Sequence, residues 1–212
     1  MNNKLTFIIG IVGVGLFAFC SVVGGFLIED YSIISQYISE SYAIDTEYGL
    51  ILRGYGYIPS GILISIFCFR SSKIFASSKV AKFGFYGLGY FYGIATIIVA
   101  IFPCDSGCNP EFINPSISQI IHNAVGALTY IFTPLSILFI GTGLMRDVTS
   151  KSLSKQGFLY GLLSMLFVFL LFSDATSEFK GIYQRIIETF FILWIVSCAI
   201  AVKNKTRLIR PL

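Results

Sequence analysis

The sequence predicts an all-α integral membrane protein, a six-helix bundle with both termini cytoplasmic. Three observations predict it. Six apolar runs occupy residues 5–28, 49–69, 80–102, 117–145, 158–172 and 186–202. Most of them can cross a hydrocarbon core of about 30 Å as a helix. A mean hydropathy of +0.80 with 12% charged residues excludes both an ordinary globular protein and a disordered one. With the termini on one side, that side collects Lys4, Arg70, Lys73, Lys79, Lys82, Arg146, Lys151, Lys155, Lys203, Lys205, Arg207 and Arg210. The other side holds only Arg53, Lys180 and Arg185 as bases, against ten acids that include Asp105, Asp174, Glu178 and Glu188. The Lys/Arg bias sets the orientation, which makes the basic side cytoplasmic.

The 212 residues read as a single membrane domain, 1–212, because the loops are too short for a soluble one. The basic pI of about 8.8 is spread over short loops, which suits anionic lipid heads and excludes nucleic acid as the partner.

Taken in order, the first run is too long for the h-region of a signal peptide and no small-x-small site follows it. Cys20 lacks the preceding small residue of a lipidated cysteine and reads as a buried thiol, as do Cys68 and Cys198. The loop after it carries Ile34, Tyr37, Ile38 and Tyr42 at helical spacing, with Ser35, Gln36, Ser39 and Glu40 opposite. That pattern predicts a short amphipathic helix lying in the outer interface as a cover over the bundle mouth. The second run carries Arg53 about a turn inside its outer end, and Pro59, which predicts a bend. The third run opens with glycines interleaved with aromatics, Gly84 to Gly93. A phosphate cradle needs a preceding strand, so Gly89 and Gly93 read as a small-residue stripe for close helix packing, like Gly157 and Gly161 in the fifth run. The fourth run opens with His122 and contains Pro134, a second expected bend, and the sixth begins beside Arg185. Asn204-Lys205-Thr206 is spelled as a glycosylation site but sits in the cytoplasmic tail, and Asn114-Pro115-Ser116 has the forbidden proline.

Charged residues at span ends are costly unless paired or wet, so Arg53, His122 and Arg185 are expected to face the bundle interior or an outer vestibule. Two accounts compete. In one, the arginines pair with Asp174, Glu178 or Glu188 and stitch helix ends together. In the other, the two guanidinium forks of Arg53 and Arg185 bind a phosphate or carboxylate head group. His122 is then a candidate proton carrier, with Asp105 orienting its ring. Cys104-Asp105-Ser106-Gly107-Cys108 places two thiols on the oxidising side with turn-forming residues between them, which favours a disulfide. Two zinc ligands and free thiols are the alternatives, although His122 is the single imidazole.

Ile38-Ser39-Glu40, Phe102-Pro103-Cys104-Asp105, His122, and Gly181-Ile182-Tyr183-Gln184-Arg185 with Trp194 together resemble a bacterial membrane family, the domain of unknown function numbered 998. The resemblance extends over all six spans and implies a six-helix integral membrane protein, without an activity.

The leading functional expectation is an outward-facing polar pocket that binds or processes a lipid head group or small anion. The residues call for no cofactor and no metal, and they leave open whether the protein is an enzyme. A small transporter or channel subunit is the alternative, opposed by the lack of an acidic residue at mid-depth in any span. A non-catalytic role, packing on a membrane-protein partner or a second copy through the glycine-lined helices, is the third.

Overall fold

In the computed structural model, which describes residues 2–174 and 176–205, six helices are long and apolar enough to cross a membrane. They are α1 (Asn3–Phe26), α2 (Gly49–Ile74), α3 (Lys79–Ile101), α4 (Ile117–Leu144), α5 (Lys151–Ser173) and α6 (Lys180–Lys205). Arg207 and Arg210, and Thr206 of the glycosylation-like triplet, lie outside the described residues. The protein is an all-α membrane-spanning bundle. Side-chain oxygens accept from otherwise orphaned N–H groups at three helix starts: Asn2 from Leu5, Ser78 from Ala81 and Ser116 from Gln119.

Each helix packs on its neighbour in sequence and α6 closes the ring on α1. Two crossings depend on glycine. A Cβ on Gly61 of α2 would stand 2.7 Å from the carbonyl oxygen of Gly93 on α3, and one on Gly157 of α5 would stand 3.0 Å from the Cα of Gly141 on α4. Side chains are absent there because backbones meet. Gly89 faces the Phe69 ring and Gly161 faces Leu138, so the glycine stripes read from the sequence are packing surfaces. The centre is filled by Phe67, Phe85, Ile137, Ile140, Phe191 and Trp194, all fully buried.

Two helices are not regular. In α2 a wide π-helical turn spans Leu52–Tyr57, with Ile58 N–H reaching back five residues to the Arg53 carbonyl. Pro59 follows at once; it has no N–H, and the wider turn relieves the contact its ring makes with the preceding turn. In α3 a second such turn spans Gly89–Ile94, and the Thr133 hydroxyl of α4 donates to the Phe91 carbonyl there. Pro134, by contrast, lies inside an unbroken α4.

One end of the bundle carries the excess of acids and the other the excess of bases. At the basic end Lys205 pairs with Asp147 at 3.7 Å and lies 4.3 Å over the Phe75 ring, while Lys203 lies 4.7 Å over Phe7. These contacts tie the end of α6 to α1, α2 and the α4–α5 turn. The Thr149 hydroxyl holds the Asp147 carboxyl below its ordinary range.

At the acidic end, residues 27–48 do not form the expected helix in the interface. Only a short 3₁₀ turn, Ile38–Tyr42, is helical, and it dips into the bundle mouth, leaving Ile38 4% and Tyr42 6% exposed. The physical reason is that side chains of the helices take over the hydrogen bonding an interfacial helix would have supplied to this backbone. Gly181 makes the close approach possible: a Cβ on it would stand 2.7 Å from the Ile34 carbonyl oxygen.

Candidate functional site

The helices converge at the acidic end on a carboxylate. The sequence places Glu188 among the acids of the outer side, as a partner for the arginines; the structure buries it instead. Helix α6 starts at Lys180, six residues before the apolar run begins, so Glu188 lies about 12 Å along its axis. The residue is 5% exposed. Tyr92 of α3 donates its hydroxyl to Glu188 Oε2 at 3.0 Å, and Tyr130 of α4 donates to Oε1 at 3.0 Å. Gln184, one turn above on α6, donates Nε2 to the Tyr130 oxygen at 2.8 Å, and its Oε1 accepts from Ile38 N–H at 2.6 Å. The chain therefore runs from the loop turn through Gln184 and Tyr130 to the carboxylate, with both Glu188 oxygens accepting. Tyr92 reaches this position from the wide turn of α3, a kind of irregularity that recurs at functional sites.

Two cavities meet at Glu188. The inner one, about 70 Å³, lies inside the ring and is bounded by Tyr42, Tyr92, His122, Tyr130 and Glu188, with Phe17 closing one side. The outer one, about 540 Å³, is a largely apolar cleft between α1 and α6, from Phe17, Ala18 and Val22 to Ile192, with Arg185 and Tyr31 at its polar end. Phe17, Ile38 and Glu188 border both.

Arg185 donates Nη1 to the carbonyls of Gln36 and Gly181 and Nη2 to the Tyr31 hydroxyl at 2.7 Å. Three of the five guanidinium donors are thus occupied among the described bonds. Arg53 donates Nη1 to the carbonyls of Tyr42 and Ala43, at 2.6 and 3.3 Å. The two arginines therefore grip separate segments of the same loop. Neither pairs with Asp174, Glu178 or Glu188, and the single ion pair among the described residues is Lys205–Asp147. Burial pushes the Tyr31 phenol up, against the opposing pull of Arg185, and pushes up the buried Tyr42 phenol as well.

His122 faces the inner cavity, and its Nδ1 lies 2.9 Å from the Phe102 carbonyl and 3.2 Å from that of Val99. Carbonyls only accept, so Nδ1 carries a proton, and in the neutral ring Nε2 keeps the lone pair. Asp105 does not orient this ring. Its carboxylate accepts from Ser116 N–H at 3.0 Å and from the Ser116 hydroxyl, and these bonds hold the carboxyl below its ordinary range.

Cys104 and Cys108 form a disulfide, and Ser39 Oγ lies 3.4 Å from the Cys108 sulfur. Gly107, at φ 57°, turns the chain between the two cysteines. Gln119 on α4 accepts from Asp105 N–H and donates to the Cys108 carbonyl, while Ile44 N–H donates to the Cys104 carbonyl. This corner therefore braces the loop that closes the inner cavity. Cys20, Cys68 and Cys198 are buried and free.

A family model described as Protein of unknown function (DUF998) matches residues 11–201, nearly the whole chain and all six spans. The chain belongs to the DUF998 family. No curated protein and no solved structure matches it. Within this DUF998 protein the run Gly181-Ile182-Tyr183-Gln184-Arg185 becomes legible as structure: Gly181 admits the loop, Gln184 orders Tyr130 and Ile38, and Arg185 holds the loop carbonyl. The residues sequence reasoning missed are Glu188, Tyr92, Tyr130 and Gln184. A signal for two of them existed, since Gln184 and Glu188 continue the buried stripe Phe191, Ile195, Cys198 at spacings of four and three.

Proposed function

We propose that this DUF998 protein binds a phospholipid, its acyl chain lying in the α1–α6 cleft and its phosphate on Arg185. The observation that carries the reading is the cleft itself: an apolar groove between two spanning helices that ends at an arginine, two of whose five N–H donors are not used in bonds among the described residues. Arginine suits the role because its planar fork matches phosphate oxygens. Arg53 acts from the other side by holding the loop turn that closes the inner cavity. His122 Nε2 and Glu188 are then the groups available for proton transfer if the ligand is processed. The twelve-to-three Lys/Arg bias supports a cytoplasmic basic end and an outward-facing cleft mouth; residence in a bacterial inner membrane is proposed from the family resemblance.

A second reading, a small transporter, draws on one specific observation. The sequence opposes it by the lack of an acidic residue at mid-depth in any span; Glu188, buried about 12 Å along α6, weakens that objection.

Extraction of the full-length protein in mild detergent followed by lipid analysis tests the first reading. Wild type is expected to retain about one phospholipid per chain. Ala18→Phe, which fills the cleft away from the loop contacts, is expected to lose it while keeping its melting temperature. Equal retention by both proteins overturns the proposal. Uptake of a labelled solute into vesicles without lipid retention would favour transport.

A further inference from the structure

We infer that the inner cavity is a site for a primary ammonium group, with Glu188 as its counter-ion. The inference rests on the cleft reading only for the source of the amine, not for the site.

Four features converge on a cation. First, the cavity contains an intramembrane acid, Glu188, which among the described residues has no cationic partner; Arg185, the nearest base along α6, is committed to Gln36, Gly181 and Tyr31. A carboxylate removed from water is costly unless a positive charge or a full set of donors compensates it. Two tyrosine hydroxyls meet it, one on each oxygen, which leaves acceptor capacity on both.

Second, part of the wall is aromatic, beside Ile38, Thr96, Val99 and Thr129. Phe17, Tyr42, Tyr92 and Tyr130 surround the same space, with Phe17 and Tyr92 ring centroids 5.9 Å apart. Ring faces attract an ammonium and do nothing for an anion. Third, His122 borders the cavity, and with Nδ1 donating to the Val99 and Phe102 carbonyls its neutral ring keeps Nε2 as an acceptor. A primary ammonium has three donors, and the wall offers carboxylate, phenol and imidazole acceptors. Fourth, at about 70 Å³ the cavity has room for an ammonium on a short carbon stem; the preference for a primary amine rests on its three N–H donors, which a trimethylated one lacks.

The source follows from the helix. Arg185 and Glu188 are three residues apart on α6 and so sit on one face, a turn apart. A zwitterionic head group with a phosphate and an amine joined by a two-carbon linker places one charge on each. Glu188 borders both cavities, so the amine would enter from the cleft, past Glu188, while the acyl chain stays in it. A soluble small amine is the other source of the same chemistry.

The experiment uses full-length protein reconstituted in vesicles of equimolar phosphatidylethanolamine, phosphatidylglycerol and phosphatidylcholine, then extracted for lipid analysis. Wild type is expected to enrich phosphatidylethanolamine about tenfold over the other two, and Glu188→Gln to bring that ratio to parity. Gly126→Leu guards against a folding artefact. Gly126 borders the cavity, a Cβ there meets nothing within 4 Å, and leucine takes up cavity space while leaving every member of the Glu188 hydrogen-bond network in the sequence. It too is expected to abolish the preference, at an unchanged or higher melting temperature. Equal retention of all three lipids by wild type, lost in Ala18→Phe, overturns the ammonium site and leaves the cleft reading standing. No retained lipid, but a melting-temperature rise with ethanolamine in wild type and not in Glu188→Gln, keeps the site with a soluble amine and overturns the cleft reading. Neither response overturns both.

Discussion

Glu188 ties three helices and a loop to one carboxylate, and the consequences can be read one side chain at a time. Tyr92→Phe and Tyr130→Phe each remove a donor from it, and the second also strands Gln184 Nε2. Hydrogen bonds in membrane bundles are worth about 0.5–2 kcal/mol, so each change should lower stability by that order, with Tyr130→Phe the larger. Equal, negligible losses in a denaturant titration would remove the network from the account. Arg53→Leu should cost more locally than globally, because it frees the carbonyls of Tyr42 and Ala43 while the ring of helices persists. Faster deuterium exchange confined to residues 36–46 is the expected result. Asp105 sets a pH dependence. Its folded carboxyl is depressed by the Ser116 N–H and hydroxyl. The ionised form therefore stabilises the disulfide corner above the unfolded value of about 3.9, and that contribution is lost as pH falls through the lower folded value. Asp105→Asn should make the protection of residues 104–119, measured against the intrinsic exchange rate at each pH, independent of pH in the acid range; a persistent acid dependence of that protection would point to another group.

Between helices, backbone proximity governs. At the α2–α3 crossing the Cβ of Gly61→Ala would meet the Gly93 carbonyl oxygen and Ile97 Cγ1, both at 2.7 Å. Neither belongs to the free end of a flexible side chain, so the helices must separate, at about 1–3 kcal/mol by the usual cost of overpacking. Gly126→Ala, on open space, is the control and should gain about 1 kcal/mol from helix propensity alone. Melting temperatures of the pair should move in opposite directions. The wide turns of α2 and α3 belong to the same level: one presents Arg53 and Tyr57, the other Tyr92, to the acidic end.

The ring of six helices and its two unlike ends set the orientation. Ser77 and Ser152, exposed at the basic end, should resist a membrane-impermeant thiol reagent in intact cells when changed to cysteine. Asn109 and Ser177 at the acidic end should react. Reaction of Ser152→Cys but not Asn109→Cys would invert the protein and place the cleft mouth on the cytoplasmic side.

Six spans, the segregation of Lys and Arg, the glycine contacts and the Cys104–Cys108 pairing were legible because each is local in the chain: a run length, a composition, a spacing. The short run beginning at residue 186 concealed the true start of α6, since Lys180, Gln184 and Arg185 depress hydropathy without ending a helix. That shift alone moved Glu188 from an acid of the outer side to a buried one. The loop turn was misread for a related reason: Ile38 and Tyr42 have amphipathic spacing, but burial inside the mouth came from Gln184 and Arg53, partners distant in sequence or in height. His122 and Asp105 lie close in the chain, yet their partners are a helix-end carbonyl and a helix-start serine, so nearness did not become pairing. The sequence alone determined that this chain spans a membrane six times, because transfer of apolar side chains is additive along the chain. Only the tertiary structure decided where the carboxylate, the aromatic wall and the guanidinium stand, because those positions depend on which turns of different helices share a level.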